Sequence, residues 1–126
     1  MPAIEPGEKF TIEYGNGHRL EVTALAGRKQ GRVLALLSAI GQAEETKSYH
    51  LATDKLEEAL AICLGGGSEG GNESETERQK REAANAHAAE LFDTVLDFES
   101  AADVVRATLG KQSLSEDDKK KLESLL

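Results

Sequence analysis

Few side chains in this sequence are suited to chemistry. Three histidines (His18, His50 and His87) and one cysteine, Cys63, are the entire supply of imidazole and thiol. Zinc needs three or four nitrogen or sulfur donors held together, and none of these residues has a second His or Cys at ligand spacing, so no metal site is expected. His50 and Cys63 form a conceivable base and nucleophile pair, but the apolar neighbours Ile62 and Leu64 mark Cys63 as a core thiol. Adjacent carboxylates such as Glu44-Glu45, Glu57-Glu58 and Asp117-Asp118 diverge by about 100° on a helix and read as solvated faces. The run from Gly65 to Ser74 is rich in glycine, yet it lacks the Gly-Lys-Ser/Thr ending of a phosphate loop and follows a helical pattern rather than a strand. A basic group of Arg19, Arg28, Lys29 and Arg32 could hold an anion or an acidic segment. The simpler reading puts Arg28, Lys29 and Arg32 on the outer face of a helix. No catalytic residue and no cofactor are expected.

Composition narrows the function classes further. The chain has 126 residues and a formal net charge of −8, so its field repels a phosphate backbone and nucleic acid is not the expected ligand. Lys and Arg are interleaved with the carboxylates, which describes a solvated surface rather than a double-helix mimic. With a single cysteine no intrachain disulfide can form, and a reducing compartment is expected. The opening MPAIEPGEKF lacks a basic region followed by an apolar stretch, so no secretory signal is expected. The best apolar run, Val33 to Ile40, falls far short of the ~20 residues of a membrane span, and no membrane partner is expected.

The elements that must position these residues show in the periodicity. Met1 to Glu8, with both prolines, is expected to be an extended arm. Phe10, Ile12 and Tyr14 alternate with polar residues, as do Leu20 and Val22, and Gly15-Asn16-Gly17-His18 lies between them. That is the pattern of a β-hairpin, whose apolar face must be covered by helices or by another subunit. Val33, Leu36, Leu37 and Ile40 then take helical spacing, with Gly41 a candidate terminator. A second helix beginning near Ser48 or Thr53 carries Leu56, Ala59, Leu60 and Cys63 on one side. Residues 65–74 are expected to be a flexible linker. Beyond it a helix from about Glu75 to Leu96 sharpens its apolar stripe only at Leu91, Phe92, Val95 and Leu96. A short helix with Ser100 as cap and Gly110 as stop, and a last one from Ser115 bearing Leu122, Leu125 and Leu126, complete the chain. The expected class is α+β and predominantly helical. Its expected domains are a hairpin and two-helix lobe (1–64), the linker (65–74) and a C-terminal helical lobe (75–126).

This layout resembles a family. KFTIEYGNGHRLEVTALAGRKQGRVLALLSAI, then LEEALAICLG, then a polar linker, then ESAADVVRATLGKQSLSEDDKKKLESLL is similar to the tail assembly chaperones of long-tailed bacteriophages. The glycine-rich stretch has no counterpart in that pattern. The resemblance implies a non-catalytic, oligomeric protein of the host cytoplasm that coats the tape measure protein before the tail tube polymerises. Under it Val33, Leu36, Leu37, Ile40, Leu56 and Leu60 would build the core or a self-association contact. Leu91, Phe92, Val95, Val104, Val105 and Leu109 would be open to a helical client. The alternative is a virion structural subunit, such as a head-tail connector or tail-completion protein.

Overall fold

The computed structural model of the chain describes residues 7–14, 17–67 and 72–110. It is α+β and predominantly helical, as the periodicities predict. Strands β1 (Lys9–Tyr14) and β2 (His18–Thr23) are followed by helices α1 (Gly27–Glu45), α2 (Tyr49–Cys63), α3 (Glu75–Thr94) and α4 (Phe98–Gly110). The expected last helix from Ser115, most of the N-terminal arm and residues 68–71 of the linker lie outside the described residues.

The strands pair antiparallel, from Lys9 opposite Thr23 to Tyr14 opposite His18. This register places Phe10, Ile12, Tyr14, Leu20 and Val22 on one face, where Ile12 and Val22 are buried and the other three are partly covered. Gly17 takes φ +88°, a conformation that L side chains rarely adopt. The Ala24 amide donates to the Glu8 carbonyl and the Gly7 amide to that of Ala24, so the ladder runs past the strand ends. A two-stranded sheet is marginal alone, and here α4 packs against β1.

Helix α1 runs through Gly41, where a terminator was expected, and ends four residues later. A glycine costs a helix about 1 kcal/mol relative to alanine. The burial of Ala43 on the core face offsets that cost and carries the helix onward. The actual stop is a Schellman motif in which Lys47 takes φ +60°, the Lys47 amide donates to Glu44 O and the Ser48 amide to Ala43 O. Helix α2 begins at Tyr49, and the Thr53 hydroxyl turns back to Tyr49 O inside it rather than capping it. Helix α3 is capped by Ser74, whose hydroxyl accepts from the Glu77 amide at 3.1 Å. Helix α4 is capped by Asp97, not by Ser100 as the sequence predicts. The Asp97 carboxylate accepts the Ser100 amide at 2.8 Å, which places Ser100 in the first turn.

The expected division into two lobes does not describe the packing. Helix α2 packs against α1 on one side and against α3 and α4 on others, and a single apolar cluster runs from Ile12 to Leu109. Leu56, Leu60, Val104, Val105 and Leu109 meet in it, so both sides of the glycine-rich stretch supply the same core.

Nor is the described part of that stretch a loose tether. Gly65, with φ +99°, ends α2 by a second Schellman motif, its amide donating to Ile62 O and that of Gly66 to Ala61 O. The chain then lies along α3, where the Asn85 side chain brackets Gly67. Asn85 Oδ1 accepts the Gly67 amide at 2.7 Å and Nδ2 donates to Gly67 O at 3.1 Å. A Cβ at Gly66 would collide with Asn85 Oδ1 and stand 3.1 Å from Ala61 O, so no larger residue fits without displacing the strap. Arg81 Nη1 reaches Gly67 O at 3.3 Å while its Nε pairs with Glu73 at 2.9 Å, the most enclosed ion pair among the described residues.

Candidate interaction surface

The residues singled out for chemistry do not converge. Cys63 is fully buried beside the Thr108 hydroxyl, and burial pushes its thiol up to about 12, with the neighbouring hydroxyl pulling weakly the other way. His50 stands exposed at the start of the same helix, thirteen positions or about 20 Å of helical rise away, so the two make no catalytic pair. His18 stacks on Tyr14 with ring centroids 5.4 Å apart at the tip of the hairpin, and His87 is exposed on α3. Among the described residues no three His, Cys, Asp or Glu side chains are gathered to hold a metal, and no helix is long and apolar enough to cross a membrane. The basic group is split: Arg19 pairs with Glu13 within the hairpin, Arg32 ties α1 to Glu58 of α2 at 2.7 Å, and Arg28 and Lys29 are exposed.

The twelve apolar residues expected to meet a partner separate into two sets. Val33, Leu36, Leu37 and Ile40 of α1 and Leu56 and Leu60 of α2 are buried in the shared core. Val104, Val105 and Leu109, expected to be open to a client, have no exposed surface because α4 turns that stripe onto α2 and the hairpin. Leu91 and Phe92 are half-buried against the same cluster. Val95, in the cap position of α3, is 55% exposed.

Two exposed apolar residues were not singled out from the sequence. Tyr49 and Leu51, in the first turn of α2, are 63% and 48% exposed. Tyr49 precedes Ala52 and Leu56 by three and seven positions and so shares their helix face, yet it stands exposed where they are buried.

Between α1 and α4 lies a shallow groove of about 270 Å³. Leu37, Ile40, Gly41 and Ala102 form its floor, Phe98 one wall, and Glu44, Glu99 and Arg106 its charged rim. Its volume is below the roughly 300–1,000 Å³ of small-molecule sites, so it suits side chains projecting from another polypeptide. Gly41 supplies no side chain, which leaves the groove open at its middle.

No family model, curated protein or solved structure matches the chain.

Proposed function

We propose that the chain is a non-catalytic binding protein for an amphipathic helix, acting in the host cytoplasm as a tail assembly chaperone of a long-tailed phage with the tape measure protein as client. The observation that carries the binding role is the groove between α1 and α4. Its apolar floor lies at the edge of the shared core, where Leu37, Ile40 and Ala102 keep a small accessible area. A helix laid there places aliphatic side chains on Leu37, Ile40 and Ala102 and basic residues toward Glu44 and Glu99. Such a shallow site asks only for apolar spacing, which suits a chaperone that must hold many stretches of one long helical protein. The phage assignment rests on the layout of hairpin, paired helices and C-terminal segment described above.

The test uses Gly41→Leu. A Cβ at this position meets nothing within 4 Å and leucine raises helix propensity, so the variant should keep the fold while its side chain fills the groove. Titration calorimetry with synthetic amphipathic segments of a tape measure protein should show binding by the native chain and at least tenfold weaker binding by the variant, with an unchanged or higher Tm. Equal affinity of the two chains, or no binding by either, rejects the proposal.

A further inference from the structure

The hairpin carries an edge that no described residue covers by a backbone hydrogen bond. The Ala24 amide points at β1, and amide direction alternates along a strand, so Val22, Leu20 and His18 also face β1. Arg19, Glu21 and Thr23 therefore aim their backbone N–H and C=O groups outward, and none of them bonds elsewhere in the backbone among the described residues. The opposite edge belongs to β1, the strand against which α4 packs.

We propose that two copies of this chain pair antiparallel through β2, joining their hairpins into one four-stranded sheet. The charges of the edge select both the partner and the register. Charged side chains commonly guard an open edge against pairing, but this edge carries opposite signs two residues apart, so a second copy in antiparallel register meets attraction rather than repulsion. A twofold axis through Leu20 sets Arg19 opposite Glu21 of the second copy, twice. It makes these the hydrogen-bonded pairs, in agreement with the outward direction of their amides. Shifting the axis by one residue to Glu21 would place two glutamates face to face. Within each copy Arg19 already meets Glu13 at 3.2 Å and Glu21 meets Lys9 at 3.8 Å, so the joined sheet has a row of alternating charge on its outer face. On the inner face Leu20, half-covered in one copy, meets Leu20 of the other and closes the exposed border of the apolar surface.

Sedimentation velocity of the full chain should show a concentration-dependent dimer. R19E gives the edge two acidic groups and E21R gives it two basic ones, so each alone should weaken dimerisation at least roughly tenfold through like charges in both symmetric contacts. An equimolar mixture of the two variants should form a heterodimer, because both contacts are then complementary. That recovery separates the interface from any loss of fold. In hydrogen exchange the amides of Arg19 and Glu21 should gain protection as concentration rises. A chain that stays monomeric to millimolar concentration, a dimer indifferent to R19E, or two variants that fail to associate while circular dichroism shows both folded would each overturn the pairing.

Discussion

At the scale of single residues, polar groups in the interior are matched with care. The Thr108 hydroxyl, fully buried, donates to Val104 O at 2.7 Å, and no buried side-chain polar atom among the described residues lacks a partner. Cys63 sits against that hydroxyl as a neutral thiol. Because burial raises its folded-state value to about 12 from an ordinary 9.0, the unfolded chain ionises first as pH rises. Its effect on stability is nil below pH 9. Between pH 9 and 12 the folded state loses up to about 1.4 kcal/mol per pH unit, which urea unfolding across that range should reveal for the native chain and not for Cys63→Ala. Native Cys63 should react with a thiol reagent only at the rate of opening. The Asn85 amide is the second such match, since it satisfies both backbone groups of Gly67 at once. Asn85→Ala should cost about 1–3 kcal/mol by leaving a part-buried amide unpaired, read from the urea midpoint, while Asn85→Asp, which keeps the acceptor and loses the donor, should fall between.

At the scale of elements, what could be read in the sequence was whatever local pattern decides. Alternation across Phe10, Ile12, Leu20 and Val22 gave the hairpin, and the spacing of Val33, Leu36, Leu37 and Ile40 gave α1. Boundaries were less legible because a tertiary contact or an unusual residue decided them. Gly41 has the residue type of a stop and is helical, whereas Lys47 has the type of a helix former and takes the left-handed conformation that ends α1. Such a conformation costs an L residue roughly 1–2 kcal/mol, part of which returns as backbone entropy when glycine replaces it. Lys47→Gly should accordingly stabilise the protein by up to about 1 kcal/mol, seen as a higher Tm with the m-value unchanged, and a lower Tm would show that the lysine side chain contributes more than its backbone costs. The cap of α4 lies three residues before the expected one for a related reason: Asp97 and Ser100 are both good caps, and the helix capped at Asp97 includes Phe98, which packs against the core.

At the scale of the whole molecule, the glycine-rich stretch was the feature least legible in composition. Gly, Ser and acid promise a tether because they have nothing to bury, yet Gly65 to Gly67 are held by α2 on one side and by Asn85 and Arg81 of α3 on the other. The partners on α3 lie 14 and 18 residues away in sequence, and no local pattern announces them. The groove has no local signature for the same reason, since its floor joins α1 to α4 across some sixty positions. A shared core has a thermodynamic consequence that separate lobes would not. Leu56, Leu60 and Cys63 of α2 share one buried cluster with Val104, Val105 and Leu109 from beyond the stretch, and α2 packs against α4, so losing either half exposes part of the other. Unfolding of the described body should therefore be one cooperative transition, with far-ultraviolet circular dichroism and tyrosine fluorescence coincident in urea. A fragment of residues 1–64 should lack that transition, because it leaves one face of α2 bare and removes α4 from the hairpin. Two resolved transitions, or a cooperatively folded fragment, would mean that α1, α2 and the hairpin are self-sufficient and that the contacts of α4 add little to their stability.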